Sequence, residues 1–243
     1  MPKLEPYSKH LDYSYCLGLY PCLSLLESRP ETAVRLLLSP EGLGNPGVEK
    51  LRARCGELGI REETAERVLK RESGKDNCFA GLVFNKYSCE LDPSLPHAVF
   101  CRISDGGNLG TISRSAVGFG YRDIAVIRPC VDVFDPHVLR SSMGAFFRLR
   151  IHVYDRFDEY RSAYPDRPLF PFMLDGARYM EEVSSSAPAV HTLIFGNEAS
   201  GLESLFATYG QSVKIPQSSE IDSLNLSVAA SIAMYEFGGK SRA

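Results

Sequence analysis

The chain has 243 residues, enough for one large domain or two modest ones. Hydrophobic residues make up 44% and charged residues 23%, which excludes a disordered chain, and no apolar run approaches the roughly 18 residues that span a bilayer, so no membrane segment is expected. The net charge of −3, with residues 1–90 balanced between the two signs, excludes a broadly basic protein; any nucleic-acid site must come from local clustering.

In chain order, Met1 to His10 are polar and lack the basic-then-apolar pattern of a signal peptide. An apolar stretch, Cys16 to Leu26, and "ETAVRLLLS" follow, ending at the turn-rich Pro40–Gly47. "VEKLRARCGELGI" has Val48, Leu51, Cys55 and Leu58 near helical spacing, with Gly59 as its stop signal. "REETAERVLKRESGKDN" is predicted as a short helix running into a polar loop, and Phe79–Tyr87 as a strand. These elements make a small α/β unit, residues 1–87, followed by a linker, 88–97, with two prolines.

From Ala98 the pattern becomes regular. Strands are predicted at "AVFCRIS", "DIAVI", "IHVY", "LFPFML", "HTLIFG" and "SVKIP", with helices near "GTISRSAVGFG", "PHVLRSSMGAFF" and "SGLESLFATYG" and a last helix from about Leu224 to Phe237. Short apolar strands alternating with helices imply an α/β domain over 98–243, built on a parallel sheet with ligands at the carboxyl ends of its strands. The seven cysteines (Cys16, Cys22, Cys55, Cys78, Cys89, Cys101, Cys130) are scattered, odd in number and without a C-x-x-C pair. They read as buried thiols in a reducing, cytoplasmic compartment, with no disulfide framework and no metal site.

Three constellations carry possible chemistry. "SDGGNLGTISRSAVGFG" (104–120) follows a strand and opens a helix; its glycines permit a tight turn, and Asn108 and Arg114 form a polar pair six residues apart. It is not a dinucleotide fingerprint, because the glycine spacing is wrong. In "LIFGNEASGL" (193–202) a strand ends at Gly196, where a ligand edge can approach the backbone, and Glu198 can cap the element that follows. In "KIPQSSEIDSLNLSVAASIAMYEF" (214–237) a strand enters a loop, Ser223 suits an N-cap, and the helix is rich in small residues. Taken singly, these are a turn, a cap and a core helix.

Together, in order, spacing and strand–loop–helix setting, the three match the motifs of the SpoU/TrmH family of SPOUT RNA methyltransferases, and the chain from Ala98 to Phe237 resembles that family. Residues 14–84 more loosely resemble the L30e-like RNA substrate-binding domain that precedes many of these enzymes. The resemblance implies a parallel-sheet SPOUT domain with a deep trefoil knot, a homodimer, and S-adenosyl-L-methionine as methyl donor for 2′-O-methylation of a ribose. The implied substrate is structured RNA, ribosomal RNA ahead of tRNA. The alternative is a non-catalytic RNA-binding or ribosome-assembly factor that keeps the fold.

Carried over by residue, the resemblance assigns catalytic positions to Asn108, Arg114, Glu198, Ser223 and Asn225. The donor is expected at Ile194, Phe195, Gly196, Asn197, Glu198, Gly201, Ile215, Pro216, Gln217, Ser223, Leu224 and Asn225. Gln217 stands where the family usually has Met, Ser219 where Gly is common, and the first motif lacks the frequent Pro or Arg before Asn108; all three affect loop shape. Arg114 is implied either to take the ribose proton or to act as an electrostatic clamp; a guanidinium resists losing its proton, which weighs against the first. Candidate RNA contacts are Arg52, Arg54, Arg61, Arg67, Lys70, Arg71 and Lys75 in the first unit, and Arg140, Arg148 and Arg150 beyond the first motif.

Overall fold

The structure, a computed structural model, describes residues 4–238 and divides into two compact units. One comprises the chain up to Tyr87 together with Asp132–Arg148; the other comprises Ser88–Val131 and the chain from Leu149 onward. The outermost residues of the expected domains lie outside the described residues.

The first unit is built on β1 (Tyr13–Leu17), α1 (Leu19–Ser28), β2 (Ala33–Leu38), α2 (Pro46–Glu57), β3 (Arg61–Thr64), α3 (Glu66–Ser73) and β4 (Ala80–Asn85). Its mixed sheet has the order β1-β4-β2-β3, with β4 antiparallel to both neighbours and β3 parallel to β2. The inner strand β4 is buried from Ala80 to Phe84, as its unbroken apolar run requires. Helix α2 starts where Asn45 accepts from the amides of Gly47 and Val48 (2.9 and 3.4 Å), with Pro46 at the first helical position.

"REET" corrects one expectation. It is not helical but forms the exposed edge strand β3, because pairing with β2 satisfies its backbone while four polar side chains keep the edge in water. The segment 132–148, expected with the C-terminal half, is a second difference. It places Phe134 and Phe147 against Phe84, with Phe146 packed on both of them; the Phe84 and Phe147 rings meet edge-on at 5.5 Å. Ser14 and Ser24 donate to the carbonyls of Phe134 and Gly144 (2.6 and 2.8 Å).

The second unit follows the predicted alternation. It contains β5 (His97–Cys101), α4 (Gly106–Gly118), β6 (Asp123–Ile127), then, after α5 (Pro136–Ser141) of the first unit, β7 (Arg150–Tyr154), α6 (Phe157–Ala163) and β8 (Leu169–Pro171). There follow β9 (Arg178–Tyr179), α7 (Met180–Ser184), β10 (Thr192–Phe195), β11 (Val213–Lys214) and α8 (Leu226–Gly238). The sheet is all parallel, in the order β7-β6-β5-β10-β8, and β9 and β11 form a separate parallel pair. The order runs outward from β5 through β6 and β7, then resumes on the other side with β8 and β10. The switch therefore lies between β5 and β10, whose carboxyl ends are the expected place for a ligand.

The far ends of these strands are a structural lock. His97, expected as the last linker residue, opens β5 fully buried, bonded to Tyr160 Oη (3.0 Å) and to the Asp92 carbonyl (2.8 Å). Burial, together with the charge of Arg167, lowers its pKa to about 4. The Arg167 guanidinium donates to Thr192 Oγ1 and to the carbonyls of Pro93, Leu95 and His191, tying the 88–96 segment to β10. "SGLESLFATYG" is a 3₁₀ segment, Ser204–Thr208, rather than a helix. Among the described residues no helix is long and apolar enough to cross a membrane.

Candidate active site

Three loops meet at the carboxyl ends of β5, β8 and β10. In the first, Asp105 caps α4 by accepting from the Asn108 amide (2.6 Å), which fixes Asn108 in the first turn of that helix. In the second, Gly196 ends β10 and the chain reverses at once. Asn197 and Gly201 exchange backbone hydrogen bonds (3.2 and 2.9 Å), and Asn197 Oδ1 accepts from the amides of Ala199 and Ser200. The return is so close that a Cβ on Gly196 would lie 2.0 Å from the Gly201 carbonyl carbon, and Gly201 itself has φ +64°. The third loop leads into α8.

Glu198 joins the loops. Its carboxylate accepts from Ser104 N (3.3 Å), Ser104 Oγ (3.0 Å), Asp105 N (3.1 Å) and Asn108 Nδ2 (3.2 Å). Burial raises its pKa, but bonds from its own amide, Asn108, Asp105 and Ser104 outweigh that and hold the carboxyl below its usual range. Glu198 therefore does not cap the segment after it, as expected, but the turn before α4, ninety residues away. Asn108 Oδ1 in turn accepts from Asn225 Nδ2 (3.1 Å).

Asn225 Oδ1 accepts from Ser227 N (2.8 Å), Ser227 Oγ (2.6 Å) and Val228 N (3.4 Å), so Asn225, and not Ser223, is the N-cap of α8. The helix begins at Leu226, two residues beyond the expected start, because an amide side chain at 225 offers the better-placed acceptor. Ser223 remains exposed in the loop.

Between these loops lies a cleft of about 390 Å³. Of the expected donor-binding residues, Phe195, Gly196, Asn197, Glu198, Gly201, Ile215, Gln217, Ser223 and Leu224 line it. Ile194 is fully buried in β10, and Ile194, Pro216 and Asn225 are not among the lining residues. Sequence reasoning missed Phe172–Asp175 after β8, and Leu202, Asp222, Leu226 and Ala229. "LFPFML" reads as one strand, yet β8 stops at Pro171; the signal was Asp175-Gly176, where a Cβ on Gly176 would lie 2.4 Å from the Val213 carbonyl carbon.

Arg114, two turns along α4 from Asn108, is exposed and makes no ion pair or hydrogen bond among the described residues. The candidate RNA-contacting cations fare differently. Arg52, Arg54, Lys70 and Arg71 are ion-paired to glutamates, whereas Arg61, Arg67 and Lys75 form no ion pair among the described residues. Arg140 donates to the Ser73 carbonyl, Arg148 pairs with Glu27 (2.9 Å), and Arg150 makes a two-pronged contact with buried Asp123 (2.7 and 2.6 Å). Arg140 and Arg150 thus serve local structure, while Arg148 stands in an exposed ion pair. Among the described residues no group of three or more His, Cys, Asp or Glu side chains is placed to hold a metal ion.

Comparison with known proteins agrees with this geometry. The chain is 31% identical over 148 residues to an uncharacterized tRNA/rRNA methyltransferase of Synechocystis sp., covering 58% of this chain and 53% of that protein. It is 32% identical over 146 residues to a 23S rRNA (uridine(2479)-2′-O)-methyltransferase of Streptomyces viridochromogenes, covering 57% and 50%. The chain thus spans about half the length of these curated relatives. In fold it is similar to the crystal structure of an AdoMet-bound rRNA methyltransferase from Sinorhizobium meliloti, with a TM-score of 0.80 at 23% identity over 96% of this chain and 88% of that one. The model of the SpoU rRNA Methylase family matches residues 96–235, the stretch that supplies all three loops of the cleft. The chain belongs to the SpoU rRNA methylase family.

Proposed function

We propose that this protein transfers a methyl group from S-adenosyl-L-methionine to a ribose 2′-oxygen of structured RNA, ribosomal RNA ahead of tRNA, and works as a homodimer in the cytoplasm. The observation that carries the proposal is the Glu198–Asn108–Asn225 chain of hydrogen bonds, which binds the three motif loops into one wall beside a 390 Å³ cleft.

The cleft suits the donor chemically. Phe172, Leu202, Ile215, Leu224 and Leu226 offer an apolar slot for an adenine ring, and the Gly196 turn leaves the backbone open to a ribose edge. Bound there, the sulfonium would supply an activated methyl group and its own leaving group, so the protein must position the acceptor oxygen and stabilise its negative charge. Arg114 is suited to the second task, being charged, exposed and unengaged by other described side chains. Asn108, held on both sides, is a positioning residue for the first turn of α4.

The homodimer is supported by α8, where Val228, Ile232 and Tyr235 leave an exposed apolar row at spacings of four and three residues. Seven thiols and no disulfide suit a reducing compartment. The trefoil knot, and RNA recognition by the first unit as an L30e-like domain, belong to the same proposal. So do the domain limits 1–87, 88–97 and 98–243 as functional divisions.

The test is a map of 2′-O-methyl positions in total RNA from a strain lacking the gene and from strains complemented with wild type or Arg114→Ala. One methyl is expected to vanish on deletion, return with wild type, and stay absent with Arg114→Ala, whose thermal stability and S-adenosylhomocysteine affinity are expected to match wild type. An unchanged map in the deletion strain would favour a non-catalytic assembly factor.

A further inference from the structure

At the carboxyl end of β5, Arg102 adopts φ +60°, a left-handed conformation that a non-glycine residue enters only when its surroundings hold it there. Two bonds hold it there: its amide donates to the Ile127 carbonyl (3.0 Å), and its own carbonyl accepts from Asn197 Nδ2 (2.7 Å). The residue so constrained lines a second cleft, of about 420 Å³, together with Ser104, Pro129–Val131 beyond β6, and Asn197 and Ser200 beyond β10. This cleft therefore opens over the carboxyl ends of three adjacent strands, β6, β5 and β10, and includes the switch point of the sheet. It shares Asn197 and Ser200 with the first cleft, so the two lie on either side of one turn.

Its chemistry differs from that of the first cleft. Among the described residues no carboxylate lines it, and Arg102 is the one cation there. Asn197 is already committed, with its amide nitrogen on Arg102 O and Glu198 and its oxygen on two backbone amides. Arg102 is held by a single carboxylate, Glu203, at 2.9 Å, in a pair whose side chains are 35% and 63% exposed. Such an exposed pair contributes little, so a phosphate can replace Glu203 at little cost, gaining a two-pronged hydrogen-bonding partner. Pro129 and Val131 add apolar surface suited to the flat face of a sugar or base.

We propose that this second cleft receives the acceptor nucleotide, and that Arg102 binds the phosphodiester next to the target ribose, with Glu203 as its placeholder in the free protein. The inference rests on the methyl-transfer reading above and adds to it a specificity-determining residue outside the three motifs' polar positions. Arg102 acts on acceptor binding, not on the donor or on the charge that develops at the reacting oxygen.

The experiment follows transfer of tritiated methyl from S-adenosylmethionine to total RNA from the deletion strain, using full-length wild type, Arg102→Gln, Arg102→Lys and Glu203→Gln. For Arg102→Gln, KM for RNA is expected to rise at least tenfold, with kcat within about threefold of wild type and S-adenosylhomocysteine affinity unchanged. The slope of log KM against log salt is expected to fall by roughly one unit. Arg102→Lys recovers part of the loss, and Glu203→Gln gives a KM equal to or below that of wild type. If Glu203→Gln is impaired as much as Arg102→Gln, the arginine serves only to hold the 203 loop and the proposal is overturned. A wild-type KM and salt slope in Arg102→Gln also overturns it. Absence of transfer by wild type to any RNA refutes the methyl-transfer reading itself, and this one with it.

Discussion

Replacing Glu198 with alanine removes the acceptor that the turn before α4 is built around. Five donors lose this acceptor: Ser104 N, Ser104 Oγ, Asp105 N, Asn108 Nδ2 and Asn197 Nδ2, the last keeping its bond to the Arg102 carbonyl. Hydrogen bonds to a charged group contribute about 1.5–3 kcal/mol each when buried. Here the distances are 3.0–3.3 Å and the carboxylate is only half-buried, so water takes over part of the role and about 0.5–1 kcal/mol per bond is the better figure. The sum over the four that keep no other acceptor, about 2–4 kcal/mol, corresponds to a fall in melting temperature of roughly 5–15 °C for a unit of this size.

Circular dichroism melts at pH 7 would measure the fall. Because the folded-state pKa of Glu198 lies below its unfolded value, the stabilisation is complete above the ordinary carboxyl range and fades as pH drops through the folded-state value. The gap between wild type and variant should therefore close as pH falls below the ordinary carboxyl range. Glu198→Gln should recover little, since its amide nitrogen faces donors where the second oxygen had accepted. A Glu198→Ala protein that melts within 1 °C of wild type at pH 7 and binds S-adenosylhomocysteine with unchanged affinity would refute the idea that this carboxylate organises the site.

Other outcomes follow from the packing. Gly196→Ala drives a methyl group into the Gly201–Leu202 backbone, and at least a tenfold loss of S-adenosylhomocysteine affinity by calorimetry is expected, whereas Gly118→Ala meets open space and should stabilise by about 0.5–1 kcal/mol in urea titrations. His97, with its pKa lowered to about 4 by burial, stays neutral while the unfolded chain takes up a proton. Urea midpoints of wild type should therefore fall between pH 6.5 and 4, by roughly 2–4 kcal/mol in total, and His97→Gln should lack that part of the slope. Arg167→Leu removes the guanidinium from four acceptors, of which the His191 carbonyl keeps His97 N and Thr192 Oγ1 keeps Tyr160 Oη, and a loss of about 2–4 kcal/mol is expected by the same titration.

The parallel sheet was legible because its inner strands are short, buried and largely apolar runs, and "DIAVI" and "HTLIFG" admit little else. The motif loops were legible as a set but not as a geometry. Nothing local says that Asn225 bonds Asn108 across a separation of 117 residues, or that Glu198 reaches back to Ser104. Local preference misled at two caps and an edge. Ser223 has good N-cap chemistry but loses to Asn225, and "REET" has helix-forming residues but is recruited by β2. Arg150 looked like a phosphate contact because charge alone does not reveal a buried partner such as Asp123.

The first unit is discontinuous in sequence, and this bears on the order in which the protein is made. When Tyr87 leaves the ribosome, the sheet of that unit is complete, but Phe84 still lacks Phe134 and Phe147, and Ser14 and Ser24 lack their carbonyl partners. All of 88–131 must emerge before the missing segment arrives, so the N-terminal unit cannot finish until the first part of the other unit has been made. A fragment ending at residue 87 should be aggregation-prone, while a permuted chain that fuses 132–148 directly after 87 should fold on its own schedule.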